Sequence, residues 1–211
     1  MKNILVFNHS FFVISETFIH QQVVGLEKNH NVCLVSYGNL NEDKFPVKGD
    51  KICLVRYTNI FDKIISKGSE KLFGANSRIS FFNKLIIRRI IRERKIDVIH
   101  AHFGPSGIAI LPVAKWTKVP LIVSFHGLDA APEMLENPAY NRFLTGLLDY
   151  ARNVVVVSLH MMETLQLRRW QEKARLIIYG VDYNKFTRAG VKPSASDGKI
   201  RILHSGRLVG K

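Results

Sequence analysis

The sequence predicts an α/β fold, a Rossmann-like parallel sheet flanked by helices. Short continuous apolar runs alternate along the chain with longer stretches of helical period, and this alternation is typical of repeated strand-helix-strand units. The 211 residues are 46% hydrophobic and 23% charged, which is too rich in core-forming residues for a disordered chain. The length fits one large domain, or one domain with part of a second.

The strands are predicted from the continuous apolar runs. In chain order they are 3–7, 31–36, 51–56, 96–100, 120–124, 153–157 and 174–178. The first helix is predicted to begin at Ser15 as its N-cap, with Glu16 in the first turn, where the helix dipole favours a carboxylate. The other predicted helices are 77–94, 106–116, 138–150 and 158–169.

The composition changes near the end of the sequence. Residues 187–198 are small and polar, as in a linker between domains, and 199–205 then read as one more buried strand. A lone strand cannot bury both of its faces, so it is expected to open a second domain. We therefore expect a domain over 1–186, a linker over 187–198, and the truncated start of another domain over 199–211.

The chain is strongly basic, with 31 Lys and Arg against 17 Asp and Glu and a net charge of +14. That charge favours phosphates, anionic lipid or an acidic partner. Residues 60–95 alone carry +7 and include Arg88, Arg89 and Arg92. Apolar residues recur beside these arginines at helical spacing, namely Ile79, Phe82, Ile86 and Ile90. Such a basic amphipathic helix suits an anionic membrane surface. The alternative is a helix packed on the sheet with a solvated basic flank.

Other classes of protein find little support. Cys33 and Cys53 lie in apolar runs and offer no disulfide framework or cysteine zinc site. No apolar run approaches the roughly 20 residues of a membrane span, and no signal-peptide cleavage site follows the amino terminus. A nucleic-acid partner is not predicted, because zinc-finger, RNP and GXXG motifs are missing. We expect a cytoplasmic protein, peripheral on the inner face of a membrane.

Polar, histidine-containing loops follow several predicted strands. Ligands of open parallel sheets bind outside the carboxyl ends of the strands. The loops in question are 8–10, 100–107, 125–129 and 158–160. Backbone amides near Ser106 suit a phosphate or a sugar hydroxyl, while Gly104 and Gly107 are expected to let a ligand approach the main chain.

Several of these residues have a purely structural alternative. His100 and His102 share one side of a strand, as metal ligands do, but no carboxylate lies at ligand spacing, so no metal is predicted. His126 either touches substrate or caps its strand through the backbone. Ser158 is most simply an N-cap. Dinucleotide, Walker and nucleophile-elbow motifs are absent, which disfavours a dehydrogenase, an NTPase or a hydrolase.

Six short motifs follow one another along the chain. They are Ser15-Glu16-Thr17-Phe18-Ile19, the runs 97–104 and 124–129, Val157-Ser158, Gly180-Val181-Asp182 with Phe186, and Gly206-Arg207-Leu208-Val209. Taken in this order, they resemble the amino-terminal half of the family-4 retaining glycosyltransferases of GT-B fold, and most of all bacterial enzymes of exopolysaccharide, colanic-acid-like and lipopolysaccharide assembly. Tyr179 stands where the family usually has an asparagine before Gly-Val-Asp.

The resemblance implies two Rossmann-like domains that face each other across a cleft, of which this chain supplies the acceptor side. It implies transfer of a sugar from a nucleoside-diphosphate sugar to a glycan or lipid-linked glycan, with retention and with no cofactor or obligatory metal. The alternative is a non-catalytic acceptor-binding or membrane-binding module. The 211-residue chain alone is expected to be inactive.

The resemblance also assigns site residues. His126 matches the histidine that contacts the donor sugar near the reacting centre, and it is the predicted catalytic residue. Arg207 matches the arginine that grips the donor diphosphate, and Lys211 lies near the partner lysine. The predicted acceptor-binding residues are Asn8, His102, Gly104, Ser106 and Ser158.

Overall fold

A computed structural model describes residues 1–56, 59–61, 63, 79–181 and 183–184. In these residues seven parallel strands form a single sheet, in the order β3-β2-β1-β4-β5-β6-β7. The strands are β1 (Asn3–Phe7), β2 (Asn31–Ser36), β3 (Asp50–Cys53), β4 (Val98–His102), β5 (Leu121–Ser124), β6 (Asn153–Val156) and β7 (Ala174–Leu176). The predicted α/β class is confirmed, and the strand order reverses between β1 and β4 as in doubly wound sheets.

Helices cover the sheet. They are α1 (Thr17–Leu26), α2 (Phe81–Glu93), α3 (Gly104–Thr117), α4 (Pro132–Leu135), α5 (Pro138–Tyr150) and α6 (Leu159–Thr164). The chain also forms short 3-10 turns of three or four residues at Ile14–Glu16, Leu128–Ala130 and Leu167–Trp170. Among the described residues, no helix is long and apolar enough to cross a membrane.

Successive residues of β1 explain why the strands read as unbroken apolar runs. Leu5 and Phe7 pack into a large core with α2, α3 and α5, whereas Ile4 and Val6 belong to a second cluster that contains Ile19 of α1. Because neighbouring side chains of a strand point to opposite faces, a sheet covered on both faces needs apolar residues at every position.

Two helix predictions are wrong. Ser15 does not cap α1; it lies in the 3-10 turn Ile14–Glu16, which a hydrogen bond from Glu16 N to Val13 O (2.8 Å) closes, and α1 begins at Thr17. The helix predicted over 158–169 is interrupted, because α6 ends at Thr164 and Gln166 takes a left-handed backbone conformation with φ 51°. A 3-10 turn then replaces the last helical turns.

Helix α2 shows which of its apolar residues face the sheet. Asn83, Ile87, Ile90 and Ile91 are buried, so this side of the helix packs on the sheet, as the alternative to membrane contact predicts. The Ser80 hydroxyl caps the helix by accepting from Asn83 N at 3.3 Å. The start predicted at residue 77 lies outside the described residues.

The chain divides into a compact unit Met1–Tyr179 and a second unit that begins at Gly180. Of the second unit, the structure describes residues 180, 181, 183 and 184. The predicted boundary at 186, the linker 187–198, the strand 199–205, and Arg207 and Lys211 all fall outside the described residues.

Candidate functional site

The carboxyl ends of the parallel strands bring together polar side chains that are far apart in the sequence. Asn8 follows β1, His102 ends β4, His126 follows β5, and Tyr179 follows β7. Ser106 lies in the first turn of α3. This edge, beside the strand-order reversal, is where doubly wound folds bind ligands.

His126 is held by two hydrogen bonds at its ring. Its Nε2 lies 3.0 Å from Nδ1 of His102, and its Nδ1 is hydrogen-bonded to the Tyr179 hydroxyl. The rings of Phe18 and Phe103 pack against it with centroid separations of 4.7 and 4.6 Å. The alternative that His126 caps its strand through the backbone therefore does not describe its ring, which bonds to side chains.

The three side chains Tyr179, His126 and His102 form a hydrogen-bonded relay. A neutral imidazole donates from one nitrogen and accepts at the other. If the Tyr179 hydroxyl donates to His126, then His126 donates to His102, and the reverse direction is equally consistent with the geometry. A ligand that accepts the hydrogen bond of the Tyr179 hydroxyl would leave His126 Nδ1 to donate to the Tyr179 oxygen, and this fixes one tautomer for both histidines.

His100, His102 and His126 are buried at this edge, and burial keeps them neutral at pH 7. Burial lowers the pKa of His126 to about 3 and that of His100 to about 4. Burial, together with the neighbouring His100 and His126, lowers the pKa of His102 well below its usual range. The relay can therefore position a hydroxyl group, but it supplies no positive charge for a leaving diphosphate.

Asp129 ties the loop after β5 to the start of α3. Its carboxylate is 3% exposed and accepts from the backbone amides of His126 (2.9 Å), Gly127 (3.1 Å) and Gly104 (2.8 Å). Burial raises the pKa of Asp129, and the amide donors lower it. The sequence placed Asp129 in a motif without showing this role, because the amides it binds depend on tertiary structure.

Asn8 and Ser106, which are both predicted to bind the acceptor, are in contact with each other. The Ser106 hydroxyl donates to Asn8 Oδ1 at 3.0 Å and lies 2.9 Å from Nδ1 of His9. Asn8 is 3% exposed and Ser106 1%. These bonds join the loops after β1 and β4, and the role of both residues in binding an acceptor stays a prediction.

The glycine expectation is wrong. A Cβ atom on Gly104 would overlap the Tyr140 hydroxyl and lie 2.8 Å from a ring carbon of Phe125. On Gly107 it would lie 2.8 Å from Leu147 Cδ2. The missing side chains make room for residues of the core, not for a ligand that approaches the backbone.

The structure also bears on the acceptor contacts predicted for His102 and Ser158. His102 is 0% exposed, which contradicts the prediction that it touches an acceptor; within the described residues its Nε2 has no hydrogen-bond partner. The Ser158 hydroxyl accepts from Met161 N at 3.2 Å, which confirms the N-cap alternative. Contact between Ser158 and an acceptor stays a prediction.

His100 and His102, the pair that resembles metal ligands, form hydrogen bonds with other side chains. His100 Nε2 lies 2.8 Å from the Ser124 hydroxyl, while His102 bonds to His126. In the part of the chain that the structure describes, no three His, Cys, Asp or Glu side chains are placed to hold a metal ion.

A cavity of about 520 Å³ lies beside these loops. Its wall includes Asn8, Glu16, Phe103, Ser106, Leu128 and Met134. Phe103 has a positive φ of 68° with ψ 144°, a conformation that L-residues adopt only with strain. It lines this cavity, and its ring packs against His126. A larger cavity, about 830 Å³, opens at the opposite edge of the sheet, and none of the predicted site residues that the structure describes lines it.

The predicted membrane-contact arginines lie on the outer face of α2. Arg88, Arg89 and Arg92 are all exposed. The Arg88 guanidinium lies over the Trp116 ring at 4.3 Å from its centroid, and Arg89 forms an ion pair with Glu93 at 2.7 Å. Phe81 is 41% exposed on the same outer face.

Solved structures of low sequence identity share this fold. HepE of Anabaena, solved in complex with UDP and glucose, matches with a TM-score of 0.63 and 16% identity over 87% of this chain and 46% of that one. A glycosyltransferase from Rickettsia africae matches with a TM-score of 0.58 and 20% identity over 91% of this chain and 46% of its own. The UDP-GlcNAc 2-epimerase of Methanocaldococcus jannaschii matches with a TM-score of 0.55 and 15% identity over 84% of this chain and 45% of its own.

This chain spans less than half the length of each of those three proteins. Because an epimerase shares the architecture with glycosyltransferases, the fold by itself does not choose between the two activities. No curated protein matches the chain. The model of one sequence family does match, over residues 15–185, which is most of the described domain. The chain belongs to Glycosyltransferase Family 4.

Proposed function

We propose that residues 1–186 form the acceptor-binding domain of a retaining glycosyltransferase. The full protein transfers a sugar from a nucleoside-diphosphate sugar to a growing bacterial surface polysaccharide or lipid-linked glycan. The observation that carries this proposal is the Tyr179-His126-His102 relay, which lies beside a ligand-sized cavity at the switch point of a Family 4 domain. The UDP and glucose complex of HepE supports a nucleotide sugar as donor.

In this proposal His126 positions the donor sugar. Both of its ring nitrogens are already hydrogen-bonded, so a sugar hydroxyl reaches it by replacing Tyr179 at Nδ1 or by bonding to the Tyr179 oxygen. The charge that develops on the departing diphosphate needs fixed cations, which a neutral imidazole cannot provide. We assign that role to Arg207 and Lys211, with further groups from a donor domain.

Comparison of two protein lengths tests this division of labour. The 211-residue chain is expected to transfer no sugar from any nucleotide sugar, whereas the gene product extended through a donor domain does. The measurement is release of nucleoside diphosphate with a panel of donors and lipid-linked acceptors. Robust turnover by the 211-residue chain would refute the assignment of donor binding to the second domain.

The outer face of α2 supports a further proposal, that the domain binds an anionic membrane. Arg88 and Arg92 are exposed there together with Phe81 and Trp116, which is 45% exposed, so basic and aromatic side chains share one surface. Aromatic and basic residues of this kind suit the interface of an anionic bilayer, where each cation contributes about 1 kcal/mol.

Vesicle binding tests the membrane proposal. Replacing Arg88, Arg89 and Arg92 by Glu is expected to weaken binding to vesicles that contain anionic lipid by about 100-fold or more, since three favourable charges are lost. The control replaces Arg152, Arg168 and Arg175 by Glu, an equal change in net charge at the opposite edge of the sheet. Equal losses in the two variants would contradict a specific surface on α2.

A further inference from the structure

The 520 Å³ cavity differs in charge from the rest of the molecule. The chain has a net charge of +14, yet among the described residues no lysine or arginine lines this cavity. Its ionisable lining residues are the carboxylates of Glu16, Asp129 and Glu133 and the imidazole of His9, whose Nδ1 is hydrogen-bonded to Ser106. An edge that is proposed to bind phosphate-bearing substrates thus includes a locally acidic pocket.

The carboxylates are not equivalent. Asp129 is saturated by three backbone amides, which offset its charge. The side chains of Glu16 and Glu133 make no hydrogen bond or ion pair within the residues that the structure describes. Burial raises the pKa of Glu16, so a hydroxyl group that donates to its carboxylate would replace contacts with water that the fold has removed.

The remainder of the wall is largely apolar. Val13, Phe103 and Met134 are half-buried around the cavity, and Leu128 projects into solvent at 83% exposure. A pyranose ring has apolar C–H faces and a rim of hydroxyl groups. Aliphatic and aromatic walls with a few well-placed carboxylate acceptors fit both features, as ligand sites generally combine apolar contact with a small number of polar groups.

We infer that this cavity receives an uncharged sugar residue of the acceptor and disfavours sugars that carry phosphate, carboxylate or sulfate. The inference rests on the proposed function, because it identifies the class of acceptor for the same site. An anionic group about 4 Å from one carboxylate is repelled enough, even at the dielectric constant of water, to weaken binding about fivefold. Glu16 is half-buried, so the dielectric constant around it is lower than that of water, and the repulsion of an anionic sugar is stronger there.

The preference for uncharged sugars can be measured by comparing the binding of neutral sugars with that of acidic sugars that have the same ring. The 211-residue chain is titrated with methyl glycosides of glucose, galactose and mannose, and with the corresponding uronic acids and 6-phosphates, with saturation-transfer NMR as the readout. At least one neutral glycoside is expected to bind at least fivefold more tightly than its acidic counterparts. Tighter or equal binding of the acidic sugars would overturn the inference and leave the proposed transferase intact.

A pair of variants localises the effect. Glu133→Lys is expected to reduce the preference for the neutral sugar at least fivefold, whereas Glu136→Lys, three residues further along and exposed, leaves it unchanged. Preference that persists in Glu133→Lys would place the discriminating site elsewhere and overturn the inference.

Two other outcomes separate the inference from the function. Binding of octyl glucoside and of a sugar-free octyl detergent, without binding of methyl glycosides, would show that the cavity holds an apolar tail and would overturn the inference. No sugar binding by the chain, together with sugar transfer by the extended protein, would also overturn it while the proposed function stands. Failure of transfer with any donor would instead contradict the proposed function.

Discussion

His126 illustrates what the sequence can and cannot show about a single residue. Its place after a predicted strand, within Ser124-Phe125-His126-Gly127-Leu128-Asp129, was enough to single it out. Its partner Tyr179 lies 53 residues later in the chain and reaches it only because β5 and β7 end at the same edge of the sheet. Ring orientation and hydrogen-bond partners depend on tertiary packing, which no local pattern encodes.

Gly104 provides a test of packing at the scale of one atom. Gly104→Ala places a methyl group against the Tyr140 hydroxyl and the Phe125 ring, so we expect it to lower the free energy of unfolding by about 1 to 3 kcal/mol. Gly146→Ala is the control, because nothing lies within 4 Å of its Cβ position in α5 and alanine favours a helix by about 1 kcal/mol.

Urea unfolding of the two variants measures the difference. Gly104→Ala should unfold at lower urea concentration than the wild type, and Gly146→Ala at equal or higher concentration. If Gly104→Ala were as stable as the wild type, the space would be open, and the original expectation of a ligand at this backbone would return.

Among the elements, strands were easier to predict than the boundaries and faces of helices. A strand covered on both faces is apolar throughout, so β1 and β2 could be read directly from Asn3–Phe7 and Asn31–Ser36. The break after α6 could not be read, since Gln166 is not a residue that favours the left-handed region. The loop geometry around it outweighs its local preference.

For helix α2 the sequence and the structure differ on which of two neighbouring isoleucines is buried, and substitutions can test this difference. The sequence stripe included Ile86, but the structure leaves Ile86 38% exposed and buries Ile87 completely. We expect Ile87→Ala to lower the free energy of unfolding by about 2 to 5 kcal/mol, because it leaves a cavity in the core. Ile86→Ala, the matched control one residue away, should cost less than about 1 kcal/mol. Equal losses in chemical denaturation would show that the helix is rotated from its described position.

For the whole molecule, three neutral histidines couple folding to pH. The pKa values of His100, His102 and His126 are lowered in the folded state, mainly by burial, from an unfolded value of about 6.5. The unfolded chain therefore binds more protons below pH 6.5, and the folded state loses stability as the pH falls through that value. Above pH 6.5 the three histidines are neutral in both the folded and the unfolded state, so their burial causes no loss of stability there.

The size of this effect follows from the proton linkage. Between pH 7.5 and 5.5 the free energy of unfolding should fall by about 1.4 kcal/mol for each such histidine. His100→Gln should show a shallower loss than the wild type over the same interval, since one titrating group is gone. Identical slopes of stability against pH in the two proteins would mean that His100 is protonated in the folded state as readily as in the unfolded one.

The α/β class of the described residues could be anticipated from the apolar runs, and the membership of the chain in Glycosyltransferase Family 4 from the ordered motifs. The acidic cavity could not be anticipated, because Glu16 and Glu133 are separated by more than a hundred residues and meet only through the loops after β1 and β5. Net charge, a property of the whole sequence, indicated the opposite sign for this site.

The most direct test of the central claim is sugar transfer by the protein extended through its donor domain. His126→Ala is compared with His30→Ala, a histidine that precedes β2 at the opposite edge of the sheet, with the donor varied at saturating acceptor. The account predicts that His126→Ala lowers kcat/KM for the donor by at least 100-fold while His30→Ala stays within about twofold of the wild type. Wild-type transfer by His126→Ala would contradict the claim that this edge of the sheet is the reaction site.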